Sequence, residues 1–128
     1  MKTVLIITDG AEQTSKMADD VARALKGSKV QVKSACDFKG NDLLPADAFF
    51  LGCEIPEPDS FAYLTDLLKH INLAGRPCGV FSPGSKTAAK YLGKLVFDCE
   101  AALKSEPLLS ADADVVGEWA RSVVAPLS

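Results

Sequence analysis

No stretch of the sequence is apolar over a long enough distance to suggest a membrane span. The first apolar run, Val4–Ile7, ends at Thr8 and Asp9, so it is also far too short for the core of a secretory signal. Cations are in the minority, with 14 Lys and Arg against 17 Asp and Glu and a net charge of −3. Because nucleic acids and anionic membranes bind clustered cations, the sequence predicts neither as a partner. We therefore expect a cytoplasmic protein.

Closely spaced cysteines are also missing. Cys36, Cys53, Cys78 and Cys99 are widely separated, and no two of them form a C-x-x-C pair. Three of the four lie in or beside apolar runs, which predicts buried, reduced thiols and no metal site. Cys53 is the exception because it lies in a predicted loop, where Glu54 would raise its pKa and disfavour a reactive thiolate.

The composition that remains is ordinary for a globular domain. Hydrophobic residues make up 48% of the chain and charged residues 24%. A chain of 128 residues can bury most of its apolar surface without disulfides or metals. The sequence contains no linker, internal repeat or low-complexity segment, so we predict one domain that spans residues 1–128.

Short apolar runs alternate with amphipathic segments along the chain. The runs are rich in β-branched residues or alternate between apolar and polar residues, which predicts strands. The predicted strands are Val4–Ile7, Lys29–Ala35, Ala48–Gly52, Cys78–Phe81 and Pro107–Leu109. The segments between them repeat apolar residues at helical spacing, which predicts four long helices. The predicted helices begin at Thr14, Phe61, Thr87 and Val115, and the last three end near Leu73, Leu103 and Val124.

Five strands that alternate with helices predict an α/β fold. We expect a three-layer sandwich in which a five-stranded parallel sheet has helices on both faces. Ligands of such sheets bind at the carboxyl ends of the strands, and three predicted turns lie there: Thr8–Thr14, Cys53–Ser60 and Ser82–Thr87. At the first turn, free N–H groups and the positive end of a helix dipole would meet, which favours a phosphate. The alternative is a plain turn in which Thr14 is the N-cap.

Site patterns of three other α/β classes are missing. A response-regulator receiver needs an acidic residue at the end of the third strand, where this chain has Gly52. A nicotinamide-binding Rossmann domain needs G-x-G-x-x-G after the first strand, where Gly10 stands alone. A nucleophilic hydrolase needs a histidine near the strand ends, whereas His70 is predicted in a helix, at or near the surface. A separate prediction concerns packing: Trp119 is four residues from both Val115 and Val123, so we expect it to lie in the core.

Three stretches of the sequence resemble the flavodoxin family. The first, Thr8-Asp9-Gly10-Ala11-Glu12-Gln13-Thr14, corresponds to the Ser/Thr-x-Thr-Gly-Asn-Thr loop that surrounds the FMN phosphate in that family. The second, Phe50-Leu51-Gly52-Cys53, is similar to the start of the family's first loop against the flavin ring. The third runs from Gly75-Arg76-Pro77 through Pro107-Leu108-Leu109 to Trp119-Ala120 and resembles the end of short-chain flavodoxins. The resemblance implies the strand order 2-1-3-4-5.

The resemblance also implies an FMN-binding protein that transfers electrons between redox protein partners. Such a protein is an electron carrier and has no catalytic residues of its own. The phosphate loop would comprise Thr8, Asp9, Gly10, Ala11, Glu12, Gln13 and Thr14, with phosphate contacts from the hydroxyl, amide and N–H groups of Thr8, Gly10, Gln13 and Thr14. The flavin ring would lie between Cys53, Glu54, Ile55 and Pro56 on one side and Ser82, Pro83 and Gly84 on the other.

Two features of these loops favour a second hypothesis. The Thr-Gly-Asn core is missing from the first loop, and Asp9 and Glu12 add carboxylates beside the phosphate site. Glu12 would alternatively cap the N–H groups of its own helix. The ring loops lack the Trp or Tyr that stacks on flavin, which leaves Ile55 and Pro56 as apolar substitutes. The second hypothesis is a flavodoxin-like domain that has lost FMN and acts as a binding or regulatory module.

Overall fold

The strands of the protein form one parallel sheet. The computed structural model describes residues 2–103 and 105–125. Its strands are β1 (Thr3–Thr8), β2 (Lys29–Ser34), β3 (Ala48–Gly52) and β4 (Cys78–Phe81). Its helices are α1 (Glu12–Ala24), α2 (Gly40–Leu43), α3 (Ala62–Lys69), α4 (Lys86–Asp98) and α5 (Ala113–Val124). Within these residues the strand order is β2-β1-β3-β4, and each neighbouring pair is parallel.

Helices cover both faces of the sheet, as predicted for a three-layer sandwich. Successive side chains of β1 point to opposite faces, so Val4 and Ile6 pack with α1 and α5, whereas Leu5 and Ile7 pack with α3 and α4. Trp119 packs against the core on the face that α1 and α5 cover, and its ring centroid lies 5.4 Å from that of Phe50. The α/β class and the core position of Trp119 are therefore confirmed.

The predicted fifth strand is wrong as a regular element in the described part of the chain. Pro107–Leu109 forms no strand, and it touches β4 through one isolated parallel bridge, Phe81 with Leu108; a second bridge, Pro77 with Ala102, lies before both segments. Pro107 has no N–H to donate, which weakens any ladder at this position. The segment still borders β4, because Leu108 N–H donates to Val80 O at 3.0 Å. The described sheet therefore has four strands.

Most helix boundaries differ from the prediction, although α5, which begins at Ala113 and not at Val115, ends at Val124 as predicted. α1 begins at Glu12 and not at Thr14, because Gly10 turns the chain with φ +79° and Ala11 is already the extended N-cap. α3 is preceded by a 3₁₀ turn at Asp59–Phe61 and ends at Lys69, before the predicted end. α4 ends at Asp98, five residues before the predicted Leu103, because Glu100 adopts φ +63° shortly after it. No helix in the described residues is long and apolar enough to span a membrane.

A short helix, α2, lies in the segment that the sequence predicted as a loop. Its start is closed by Asp42, whose Oδ2 accepts the Lys39 N–H at 2.8 Å. Its end is closed by Arg76, whose Nη1 donates to the carbonyl oxygens of Leu43, Leu44 and Ala46 at 3.3, 2.7 and 3.0 Å. Arg76 precedes β4, so this one side chain fastens α2 to the amino end of the sheet.

Candidate functional site

The three predicted turns meet at the carboxyl edge of the sheet. The registers place Thr8 beside Gly52 and Gly52 beside Phe81, so β1, β3 and β4 end side by side. Two backbone hydrogen bonds join the turns that follow: Asp9 N–H donates to Gly52 O at 3.2 Å, and Cys53 N–H donates to Phe81 O at 3.3 Å. The three predicted turns therefore adjoin one another at this edge of the sheet.

The first turn is stabilised by its own side chains. Thr8 Oγ1 accepts the Gly10 N–H at 3.2 Å, and Asp9 Oδ1 accepts the Ala11 N–H at 3.1 Å. The N–H of Gly10, which was expected to bind phosphate, and that of Ala11 beside it are therefore bonded within the turn. The N–H groups that remain free for a ligand belong to the next residues, in the first turn of α1.

The first turn of α1 presents three free N–H groups. Those of Glu12, Gln13 and Thr14 have no acceptor among the described residues, and no side chain caps the helix. Thr14 is completely buried and is not the N-cap, so that alternative is wrong, as is capping by Glu12. Thr14 Oγ1 has no hydrogen-bond partner in the described part of the chain. A buried hydroxyl without a partner is unfavourable by about 1–3 kcal/mol, and a bound acceptor would remove that penalty.

Asp9 connects the first turn to the second. While its Oδ1 accepts the Ala11 N–H, its Oδ2 accepts the N–H of Glu54 at 2.8 Å, 45 residues further along the chain. A carboxylate that accepts two backbone N–H groups makes strong, charge-assisted bonds. The bond therefore fixes the spacing of the two loops, and it also holds a negative charge beside the free N–H groups of α1.

Cys53, the first residue of the second turn, is fully buried. Burial, and then the nearby carboxylate of Asp9, raises the pKa of the Cys53 thiol to about 12. A thiolate role for Cys53 is therefore disfavoured near neutral pH. Cys53 therefore lies in a loop, as predicted, but is buried there, whereas Cys36, which was predicted to be buried, is exposed.

The tip of the second turn offers an apolar but open surface. Ile55 is 58% exposed, and Pro56 beside it is also exposed. Glu57 follows with φ +52°, a conformation that non-glycine residues adopt rarely. Ile55 and Glu57 have free N–H groups within the described residues. The exposed side chains of Ile55 and Pro56 therefore face solvent, and a planar ligand would contact them from that side only.

The third turn is closed by the segment that borders β4. Ser82 N–H donates to Leu108 O at 2.9 Å, and Gly84 N–H donates to Leu109 O at 3.1 Å and to Ser82 O at 2.8 Å. Pro83 has no N–H. The expected backbone donors of this turn are therefore already bonded. Ser82 Oγ is buried and, like Thr14 Oγ1, has no partner among the described residues.

One residue near these turns was missed by sequence reasoning. Tyr91 of α4 lies beside the second turn, where its hydroxyl and Thr65 Oγ1 are 3.0 Å apart. Burial is the largest cause that raises its pKa. Tyr91 also lines a groove of about 500 Å³ between the second turn and α4, together with Pro56, Glu57, Thr87, Lys90 and Lys94. The spacing of Thr87, Tyr91 and Lys94 on one face of a helix was the available signal.

Comparisons with known proteins identify similar solved structures but no similar sequence. No family model matches the chain, and no curated protein matches it. A short-chain flavodoxin associated with a bacterial microcompartment has a TM-score of 0.84 at 18% identity, with 100% of both chains covered. Flavodoxin 2 from Bacillus cereus has a TM-score of 0.83 at 19% identity, with 98% of this chain and 99% of that chain covered.

A similar structure also contains the cofactor that the resemblance implies. A variant flavodoxin from Fusobacterium nucleatum bound to FMN has a TM-score of 0.72 at 12% identity, with 98% of this chain and 94% of that chain covered. These identities are low, so the comparison establishes architecture and leaves the ligand to the residues of the site. The chain has a flavodoxin-like fold.

Proposed function

We propose that this protein binds FMN and transfers electrons between protein partners. The observation that supports this function best is the first turn of α1, where three free N–H groups adjoin the unpartnered hydroxyl of Thr14. A helix N-terminus attracts anions through its N–H groups and its dipole. In a flavodoxin-like fold, this position follows the central strand at the carboxyl edge of the sheet.

The residues of the first turn suit a phosphate group in part. The N–H groups of Glu12, Gln13 and Thr14 would donate to phosphate oxygens, and Thr14 Oγ1 would gain an acceptor. Thr8 and Gly10 would act indirectly, because their mutual hydrogen bond shapes the turn. Asp9 opposes a dianion by its charge, although its oxygens are bonded to Ala11 and Glu54 N–H groups.

The flavin would supply the redox chemistry, and the protein would orient the ring and limit its contact with water. Ile55 and Pro56 would contact one face of the ring, and Pro83 the other. Aromatic side chains are absent from Cys53–Pro56 and Ser82–Gly84, so stacking would be weak and the ring would stay partly exposed. We expect weaker binding than in a flavodoxin with two stacked aromatic rings.

Asp9 also supports the alternative function, a binding or regulatory module that has lost FMN. Its carboxylate already bonds the N–H groups of Ala11 and Glu54, as a bound anion would. On this hypothesis, the three turns form a surface for another ligand or a protein. Localisation in the cytoplasm is part of our proposal under either function.

Replacement of Thr14 by valine tests the proposed function. The exchange keeps the side-chain shape but removes the buried hydroxyl, so we expect the apo-protein to be as stable as the wild type or more stable. If FMN binds there, its Kd should rise about tenfold, which corresponds to about 1.4 kcal/mol. Titration calorimetry and the visible absorption band of FMN measure the affinity, and urea unfolding measures the stability.

Thr3→Val is the matched control, because it makes the same chemical change at the amino end of β1. This variant should bind FMN as the wild type does. If the wild-type protein gives no heat and no spectral change with FMN far above micromolar concentration, the electron-transfer function is wrong. Binding that Thr14→Val leaves unchanged would show that the phosphate lies elsewhere.

A further inference from the structure

α4 carries an unpaired row of cations on its exposed face. Lys86, Lys90 and Lys94 follow one another at four-residue spacing, so they lie on one side of the helix, along about 12 Å of its axis. All three are exposed, and none forms an ion pair with any residue that the structure describes. This row contrasts with the net charge of −3 of the whole chain.

The position of Lys86 opposes the stability of the helix. Lys86 is the first residue of α4, where the positive end of the helix dipole disfavours a cation, and the first turn contains no acidic residue. Phe97 lies on the same side, one turn after Lys94, and its side chain is 81% exposed. Local rules of stability are broken most often where a surface has a function.

The row borders a concave, largely apolar surface. The groove of about 500 Å³ beside the second turn is lined by Pro56, Thr87 and Tyr91 together with Lys90 and Lys94. Two carboxylates are also nearby in the chain: Glu57 lines the groove and half-buried Asp98 is the last residue of α4, and neither forms an ion pair with a lysine. The surface therefore combines free cations, an exposed aromatic ring and a recess.

We propose that this face of α4 is the docking surface for an acidic protein partner. We define the α4 face as Lys86, Lys90, Lys94 and Phe97. The partner would place carboxylates opposite the lysines and an apolar pocket around Phe97, since aromatic side chains are enriched in the buried centres of interfaces. Complementary charges would orient the encounter and raise the association rate at low salt. The proposal does not depend on whether FMN binds.

Other occupants fit the α4 face less well. Two copies that paired α4 with α4 around a two-fold axis would bring lysines against lysines. A nucleic acid or an anionic membrane presents phosphates throughout, so the carboxylates of Glu57 in the groove and Asp98 at the end of α4 would repel it. A protein can place a cation opposite each of these carboxylates and an acid opposite each lysine. The mixture of charges therefore favours a protein.

The test uses two synthetic helical peptides of equal length, each with a leucine stripe flanked either by glutamates or by lysines. Amide chemical shifts of the ¹⁵N-labelled protein locate the binding site, and anisotropy of the labelled peptide gives the Kd. We expect the glutamate peptide to bind, with shifts concentrated in α4, and the lysine peptide not to bind. Binding should weaken as salt rises to physiological strength and beyond.

Two double variants with the same net charge separate a local surface from general attraction. Lys90→Glu with Lys94→Glu should weaken the glutamate peptide about tenfold or more, as should Phe97→Ala alone. Lys16→Glu with Lys69→Glu changes exposed lysines of α1 and α3 and should leave the Kd nearly unchanged. Equal loss in both double variants, shifts outside α4, or no binding of the glutamate peptide would overturn the proposal. Self-association that Phe97→Ala abolishes would also overturn it, in favour of a second copy.

Discussion

At the scale of single residues, Asp9 has two opposing effects on the candidate site. Its carboxylate joins the first and second turns through the N–H groups of Ala11 and Glu54. The same charge lies beside the free N–H groups of Glu12 and Gln13, where it competes with any bound anion. The residue therefore stabilises the empty loops and weakens the affinity of the filled ones.

Asp9→Asn should separate these effects. An amide keeps one acceptor oxygen but places an NH₂ group where Oδ2 accepts the Glu54 N–H, so that bond is lost. We expect the free energy of unfolding to fall by about 1–3 kcal/mol. The Kd for FMN should fall as well, because a negative charge is removed beside the phosphate. Urea unfolding and calorimetry measure the two quantities.

Asp19→Asn is the control for this prediction, because it removes the same charge from an exposed position on α1. Both quantities should stay close to their wild-type values in that variant. An Asp9→Asn protein that is as stable as the wild type would contradict the assigned role of the carboxylate.

The sequence predicted where the turns lie better than it predicted the roles of single residues within them. Sequence reasoning located the turn after β1, because the change from apolar to polar residues at Thr8 is local. It mistook Thr14 for a possible N-cap, because the start of α1 depends on the positive φ of Gly10. Cys53 is covered by residues distant in the sequence, so a local pattern could not indicate that it is buried.

At the scale of elements, the carboxyl ends of β3 and β4 approach each other too closely for a side chain on Gly52. A Cβ at this position would lie 2.3 Å from the ring of Phe81, which is fully buried and cannot move aside. In α4, by contrast, a Cβ on Gly93 would meet only Leu103 Cδ2, at an ordinary 3.8 Å. The packing therefore requires glycine at position 52 but not at position 93.

The same substitution at these two glycines should have opposite effects. Gly52→Ala should lower the free energy of unfolding by about 1–3 kcal/mol, because the strands must separate to admit the methyl group. Gly93→Ala should raise it by up to about 1 kcal/mol, because alanine loses less backbone freedom when the helix forms. Urea unfolding of both variants measures these changes. A stable Gly52→Ala protein would contradict the close packing of β3 on β4.

The elements themselves were predictable where one signal was strong. β3 and β4 begin and end at the predicted residues, because both are continuous apolar runs between polar turns. The fifth strand failed because Leu108 pairs with β4 at one point, which depends on tertiary geometry and not on local composition. α2 was missed because four residues give no periodicity, and because Arg76, whose Nη1 closes its end, lies 33 residues after Leu43.

At the scale of the whole molecule, three buried thiols should make the protein less stable at alkaline pH. Burial raises the pKa of Cys53, Cys78 and Cys99 above the ordinary value of 9.0, to about 12 for Cys53. The unfolded chain loses these protons near pH 9, whereas the folded chain keeps them. Stability is therefore complete below that pH and falls as the pH rises towards 12.

Cys53→Ala should make this decline shallower. We expect the free energy of unfolding to fall less steeply between pH 8.5 and 10.5 in the variant than in the wild type, when both are unfolded by urea under reducing conditions. Cys36→Ser is the control, since Cys36 is exposed and should leave the slope unchanged. Parallel slopes for wild type and Cys53→Ala would contradict a raised pKa at this thiol.

The position of Trp119 has a practical consequence. It is the only tryptophan of the chain, its ring lies against Phe50 and Phe81, and its Nε1 donates to Glu106 O at 2.9 Å. A Cβ on Gly79 would lie 2.8 Å from its ring, so the indole is seated directly on β4. The fluorescence of this one indole will therefore report when α5 and the segment before it separate from β4.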